Sequence, residues 1–297
     1  MYSMRKLEFE KKIKEMFKEF CELLEIENPQ IKIKKLVTYL MTDGTRTSTT
    51  LTEQEAYRDG SQFTARFLQI SRILGCRNSY VNVFEQFHQE RGNYPNIYSA
   101  LLKVVPEWTE FVKKNKIKLK FVGNLATPLT PNGFKEDLRV HLWKLEEMTK
   151  NYDFGAYIFI NFDRLWAEEN RHIFEDWPTV NVIIRFTKGL SAPECMWLPG
   201  KIRYESLVYV QQGSSSMNWS DRQIVFLIAL ALRAMSRNIP FYSKKEYKEK
   251  DRERIRKMRE RKAVFRNRNY YHRRWNEYKH PKVAMIFTEV GPERYKF

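Results

Sequence analysis

Short apolar runs alternate with longer segments of helical period along most of this chain, and that alternation constrains its fold more than any other feature. Strand-forming runs cover Leu36–Met41, Tyr80–Phe84, Ile117–Val122, Phe154–Phe162, Val180–Phe186 and Ser206–Val210, with a last candidate at Val283–Thr288. Helical patterns fall between them, over Glu53–Leu74, Ile97–Lys114, Phe134–Lys150, Asp163–Phe174 and Asp221–Arg237. Residues 1–26 place Leu7, Ile13, Phe17, Phe20 and Leu24 at helical spacing among lysines, as an amphipathic helix packed on the domain does. A β/α alternation of this kind predicts an α/β fold: an open, mainly parallel sheet with helices on both sides. We find no internal repeat and no Gly/Ser linker, which predicts one domain.

In such sheets ligands bind at the carboxyl ends of strands, so those ends are where chemistry is sought. Three carry candidate groups: Asp43–Arg46, Glu85–Tyr94 and Arg185–Ser191. Asp43-Gly44-Thr45-Arg46 follows a buried strand and has the parts a phosphate group needs. The glycine lets backbone N–H groups approach, the arginine pairs with the anion, and the aspartate holds a metal or takes part in ionisation. Taken alone, such a tetrapeptide is more often an ordinary strand-to-helix turn.

Charge narrows the partners. The net charge is +17, which favours anionic ligands, and it is unevenly placed. Between Lys244 and Lys279 there are 16 Lys/Arg against 6 Asp/Glu, in one long basic helix. That helix reads as a solvated face, as a contact with an acidic membrane surface, or as a nucleic-acid site. Interleaved acids and the lack of a nucleic-acid motif rank nucleic acid last. Cys21, Cys76 and Cys195 form no CxxC pair, the pattern of a reducing compartment without disulfides. The five histidines have no metal-ligand spacing. The first 27 residues are charged throughout, so no secretory leader is expected, and the apolar run Ile224–Leu232 is too short to span a bilayer. A cytoplasmic protein, peripheral to a membrane at most, is the expectation.

The three strand ends, in this order, resemble the cis-prenyltransferase superfamily, the fold of undecaprenyl diphosphate synthases. That family carries Asp-Gly-Asn-Gly-Arg after its first strand, a Phe-Ser-x-x-Asn-Trp stretch after the second, and a late Ile-Arg-Thr-Ser-Gly-x-x-Arg-x-Ser loop. The corresponding places here read Asp43-Gly44-Thr45-Arg46, Phe84-Glu85-Gln86-Phe87 and Ile184-Arg185-Phe186-Thr187-Lys188-Gly189-Leu190-Ser191, with Phe121-Val122-Gly123-Asn124 between. The resemblance covers roughly residues 35 to 240. Where the family has a histidine near its second helix, this chain has Asp59-Gly60-Ser61, and the second arginine of the late loop is missing. The tuberculosinol/isotuberculosinol synthase branch (tuberculosinyl transferases) is similar in these departures. It shares an Asp-Gly-Thr-Arg motif, a stretch like Arg91-Gly92-Asn93-Tyr94, and segments like Pro199-Gly200-Lys201 and Arg266-Asn267-Arg268. After the first motif it has Arg-Trp, where this chain has Thr47-Ser48.

The resemblance implies a Mg²⁺-dependent terpene synthase or prenyltransferase. It would ionise a single long-chain prenyl diphosphate and let water or another nucleophile capture the cation. The alternatives are a chain-elongating synthase that uses isopentenyl diphosphate, and a non-catalytic lipid-binding subunit of the same fold. By this analogy Asp43 belongs at the metal and diphosphate end. Gly44, Thr45, Arg46, Arg58, Arg91, Arg185 and Ser191 would hold the diphosphate. Tyr57 and Tyr94 would steady the cation or place a nucleophile, and Glu85 would act as a base toward water. Phe63, Phe67 and Leu101 would line a prenyl pocket between the helices at 53–74 and 97–114, although core packing accounts for the same residues. The implied organisation is an N-terminal helix over 1–34, a catalytic domain over 35–240 and a basic helical extension over 241–297, in a homodimer.

Overall fold

The strands form because β-branched and aromatic residues with little polar interruption cannot be solvated and must pair on both sides. In the computed structural model, which describes residues 2–42, 52–187, 198–212 and 219–236, they make one six-stranded sheet. Its strands are β1 (Val37–Met41), β2 (Asn78–Glu85), β3 (Ile117–Val122), β4 (Phe154–Phe162), β5 (Val180–Thr187) and β6 (Ile202–Gln212). The order is β3-β4-β2-β1-β5-β6, and every pairing is parallel. All five residues of β1 are buried. The buried hydroxyls of Thr38 and Ser79 meet at 2.7 Å across β1 and β2. The Asn181 side chain accepts the Val37 N–H at 2.7 Å, tying β1 to β5.

The helices are α1 (Tyr2–Leu23), α2 (Pro29–Ile33), α3 (Glu53–Leu74), α4 (Tyr94–Asn115), α5 (Leu138–Thr149), α6 (Arg164–Glu169) and α7 (Asp221–Ser236). Helix α3 starts where its sequence tells it to. The Thr52 hydroxyl accepts the Glu55 N–H, and the Glu55 carboxylate accepts the Thr52 N–H at 3.0 Å. It stops at Gly75, whose φ of 85° is the left-handed value that glycine adopts without penalty. Phe63, Phe67, Ile70 and Leu74 are its buried stripe. Helix α4 begins at Tyr94 rather than at Ile97, with Pro95 in its first turn, where a missing N–H costs nothing. Helix α5 begins at Leu138 rather than at Phe134. The Asp137 carboxylate accepts the Arg139 N–H at 2.9 Å, and Phe134 instead packs edge-on against Tyr98.

The layers are unequal. One face of the sheet carries α1, α3, α4, α5 and α7 over a continuous core in which Ile13, Phe20, Phe67, Ile70, Leu142 and Ile228 are buried. The other carries α6, a 3-10 turn at Arg171–Phe174, and an aromatic cluster of Tyr39, Tyr80, Phe159, Phe162, Phe174 and Trp177. Helices on both sides hold, but one side is thin. The helix read over Asp163–Phe174 is broken at Asn170, whose side chain donates to the Trp166 carbonyl at 2.8 Å and ends α6. Helix α1 packs on α7, with Phe20 against Phe226 at 5.1 Å and the Arg222 guanidinium on the Glu19 carboxylate. Of its apolar stripe, Ile13, Phe17 and Phe20 are buried, whereas Leu7 faces solvent. Strand 283–288 and the basic helix at 244–277 lie outside the described residues.

Candidate functional site at the strand ends

The sheet order identifies where a ligand fits. Outward from β1 the sheet runs through β2, β4 and β3 on one side, and through β5 and β6 on the other. The direction reverses between β1 and β5, and that switch point leaves a crevice at the carboxyl ends of the strands. Asp43-Gly44-Thr45-Arg46 follows β1 directly, but it lies outside the described residues, as does Ser191 after β5.

Register fixes what stands beside that crevice. Met41 is opposite Asn82 of β2 on one side and Arg185 of β5 on the other. Residues opposite one another in a sheet share a face, so Asn82, Met41 and Arg185 project together. Met41 belongs to the thin, aromatic face. Two strand spacings put the Asn82 and Arg185 backbones roughly 10 Å apart, within reach of an extended arginine. An irregularity then brings Glu85 into the same group. The β2–β4 register shifts between Asn82 and Phe84 and again before Glu85, which ends up opposite Phe162. Val83 is the extra residue on β2. On β4 it is matched by Asn161, which adopts a left-handed φ of 54°. Such bulges re-aim side chains next to functional sites. Without this one, simple alternation would put Glu85 and Asn82 on opposite faces.

The result is three polar side chains buried at adjacent strand ends. Asn82 and Glu85 are each 4% exposed and Arg185 is 6% exposed. The Asn82 amide nitrogen points at a Glu85 carboxylate oxygen, 3.5 Å away. The Thr42 hydroxyl donates to the Asn82 backbone carbonyl at 2.8 Å, joining the end of β1 to β2. Buried charge is retained where it is compensated or used, so an arginine and a glutamate at the switch point make these strand ends a candidate site. A second polar knot steadies the neighbouring loops. The Asn161 amide donates to the Asn124 carbonyl at 2.7 Å and accepts from Gln89 at 2.6 Å. Gly123 permits this contact, because a Cβ there would sit 1.9 Å from the Ile160 carbonyl oxygen.

The other expected site residues are distributed less simply. Tyr94 does not offer a free phenol. Its ring stacks on Phe84 at 5.6 Å, its hydroxyl donates to the Leu129 carbonyl, and burial raises its pKa well above the ordinary value. Tyr57 is half-buried at the start of α3. Its hydroxyl donates to the Glu53 carboxylate at 3.1 Å and accepts from Asn93 at 3.3 Å. Glu53 also accepts from the side chains of Asn93 and Asn96, the latter at 2.9 Å, so one carboxylate clasps the first turns of α3 and α4. Arg58 pairs with Glu107 of α4 at 2.8 Å, and both side chains are exposed. Arg91 ends the 3-10 turn after β2, with its guanidinium 4.5 Å above the Phe87 ring. Phe63 and Phe67 are buried in the core beneath α3, and Leu101 is half-buried beside it on α4. Glu53, Asn82 and Asn161 had no sequence signal: Glu53 is one of several charged residues in the first turns of α3, and Asn82 and Asn161 are single asparagines late in apolar strands.

Among the described residues, no group of three or more His, Cys, Asp or Glu side chains is placed to hold a metal, and no helix is long and apolar enough to cross a membrane. Cys21 and Cys76 are free, buried thiols pushed up to about 12 by desolvation, and Cys195 lies outside the described residues.

By sequence the chain matches no protein family and no curated protein. Its fold does have counterparts. Lavandulyl diphosphate synthase from Lavandula x intermedia, solved in complex with dimethylallyl diphosphate, superposes with a TM-score of 0.56 over 68% of this chain and 96% of that one, at 10% identity. A probable undecaprenyl diphosphate synthase from Campylobacter jejuni gives a TM-score of 0.48 at 16% identity, over 70% of this chain and 97% of that one, too loose a match to add weight. The chain thus has the α/β fold of the cis-prenyltransferases.

Proposed function

We propose that this protein is a prenyl-diphosphate enzyme that ionises one long-chain prenyl diphosphate and lets water or another nucleophile capture the cation. The observation that carries the reading is the burial of Arg185 and Glu85 on one face at the switch point of a cis-prenyltransferase fold. Arg185 meets the diphosphate, offering two parallel N–H donors to the charge that builds on the leaving group. Arg46 and the backbone N–H groups of Gly44 and Thr45 complete the anion site in this reading, with Ser191 and Arg91 at its edge. Glu85 takes the proton from the capturing nucleophile. Phe63, Phe67 and Leu101 lie under α3 and α4, where the prenyl chain would insert. Arg58, paired with Glu107, contributes to that helix pair rather than to the diphosphate.

Mg²⁺ suits the donor set. It is commonly held by one or two carboxylates together with substrate phosphates, and Asp43 with a diphosphate supplies that combination. When bound, it would neutralise charge on the departing diphosphate. A homodimer and a membrane contact through the basic helix at 244–277 are carried forward as part of the same proposal.

The test is incubation with Mg²⁺ and geranyl, farnesyl or geranylgeranyl diphosphate, with and without isopentenyl diphosphate. Release of diphosphate from a single substrate supports the reading. Longer prenyl products formed only in the presence of isopentenyl diphosphate would replace it with chain elongation. No turnover under any condition would leave a lipid-binding protein of this fold.

A further inference from the structure

Asn161 holds a backbone conformation that its place in the fold does not explain. Its φ of 54° is left-handed. The other non-glycine residues with positive φ among those described are Glu25, Asn28 and Lys116. They stand just after α1, just before α2 and at the end of α4, where the left-handed region is routine. Asn161 alone lies inside a strand, next to last in β4, and it is 1% exposed. Backbone strain held in this way gathers at functional sites. The residue joins β4 to the loop after β3 and to the turn after β2. Its amide nitrogen donates to the Asn124 carbonyl at 2.7 Å, its side-chain oxygen accepts from Gln89 at 2.6 Å, and its backbone carbonyl accepts the Asn124 N–H at 3.0 Å. The amide has one orientation, because the Asn124 carbonyl accepts and cannot donate. Glycine would meet the left-handed backbone with less strain but would bring neither side-chain bond. Asparagine tolerates that backbone and carries both a donor and an acceptor.

We infer that Asn161 is a positioning residue for Glu85. The inference deepens the proposed function and rests on it, since there Glu85 takes the proton from the capturing nucleophile. Asn161 acts from both sides of Glu85. As the extra residue on β4 it absorbs the bulge at Val83, and the register then resumes with Glu85 opposite Phe162, on the face of Asn82 and Arg185. Through Gln89 it also holds the 3-10 turn of Gln86–Glu90, which Glu85 precedes as its N-cap residue. Glu85 is thereby fixed by the ladder before it and by the turn after it. Asn161 works through Glu85 and not on the substrate. A reacting group displaced by about 1 Å lowers a rate by about two orders of magnitude, so loss of this tie is read in turnover more than in stability.

The experiment measures kcat and KM for diphosphate release from geranylgeranyl diphosphate with Mg²⁺. It compares Asn161→Gly, Gln89→Leu and the double variant, each in the wild-type and in the Glu85→Gln background. Thermal midpoints report on folding. Gln89→Leu, a half-buried change outside the sheet, carries the test if Asn161→Gly does not fold. We expect kcat to fall about tenfold in each single variant with KM little changed. The double variant should fall no further, because both changes break the same bond. A residue that only supports the fold would lower kcat equally in any background. A positioning residue has nothing left to lose once the group it places is gone, so in Glu85→Gln the same changes should lower kcat by less than about twofold. Three results overturn the inference and leave the prenyl-diphosphate activity standing: wild-type kcat in folded Gln89→Leu, an undiminished effect in the Glu85→Gln background, or wild-type kcat in Glu85→Gln itself. Wild type that releases diphosphate from no prenyl diphosphate overturns both.

Discussion

The two faces of this sheet are built by different means. The thick face buries aliphatic and aromatic side chains under five helices whose stripes run at helical period. The thin face has one six-residue helix and a 3-10 turn, and it closes mainly by ring-on-ring contact: Tyr157 on Trp177 at 4.4 Å, Phe174 on Trp177 at 4.9 Å, Tyr80 on Tyr157 at 5.1 Å. Large aromatic surfaces bury much area per residue, so a few rings replace a helical layer. The polar strand-end group Asn82, Glu85 and Arg185 shares the thin face. Helices hold the sheet from one side, while the strand ends above the rings carry the buried charge.

The largest effects should come from opening either core. Phe67→Ala on the thick face and Trp177→Ala on the thin one should each cost about 3–5 kcal/mol in urea unfolding. A cost below about 1 kcal/mol for Trp177→Ala would show that the rings are a cover and not a core, and would break the comparison.

Alkaline pH probes both faces at once. Burial raises the pKa of the Cys76 thiol to about 12 and raises those of Tyr94 on the thick face and Tyr80 on the thin face. An acid group whose folded pKa is raised holds its proton longer in the native state than in the unfolded chain. Stability is then fully present below the ordinary pKa and falls as pH rises through the window from there to the folded value. At pH 10 the Cys76 thiol alone should lower unfolding free energy by about 1 kcal/mol relative to pH 8. Urea midpoints at the two pH values measure this, and an unchanged midpoint would contradict the burial of these groups. Neither Cys21 nor Cys76 should react with a thiol reagent in the native protein at neutral pH.

Smaller effects separate the helix clasp from the surface. Glu53→Gln weakens the joint between the first turns of α3 and α4 and should cost about 1 kcal/mol, since a half-buried charge-assisted acceptor is replaced by a weaker one. Arg58→Ala should cost at most about 1 kcal/mol and leave turnover of prenyl diphosphate unchanged, as expected of an exposed pair. A large loss of activity in Arg58→Ala would return that residue to the diphosphate site.

The sequence made the thick face legible and left the thin one partly hidden, for physical reasons. Phe154–Phe162 is a strand because a nearly continuous apolar run of that length has few other ways to be buried, and Ile117–Val122 because its apolar residues alternate with Lys118 and Lys120 at the period of a strand. Glu53–Leu74 is bounded by a capping box and a glycine, so both its ends are written in local chemistry. The inequality of the two layers was not legible, because it depends on which helix crosses to which side. Asn170 ended α6 inside an otherwise helical pattern, a side-chain choice that periodicity does not register. At the site, Glu85 and Arg185 were visible as polar residues at strand ends. That Arg185 shares a face with Asn82 depends on the register of β5 and β2 against β1, and that Glu85 does so depends on a bulge at Val83 matched by a left-handed Asn161, none of which leaves a mark in the residue pattern. The partners of Tyr94 and Arg58 are remote in sequence, Leu129 and Glu107, and only the packed fold brings them together.

The central claim is that the charged strand ends above the thin face handle a prenyl diphosphate. The most direct measurement is single-substrate diphosphate release from geranylgeranyl diphosphate with Mg²⁺, comparing wild type with Arg185→Ala and Arg185→Lys. The account predicts release by wild type, a fall of about 10²–10³-fold in Arg185→Ala, and only partial recovery in Arg185→Lys, because lysine cannot offer the paired donors. Release by folded Arg185→Ala at the wild-type rate, or no release by wild type from any prenyl diphosphate, would contradict it.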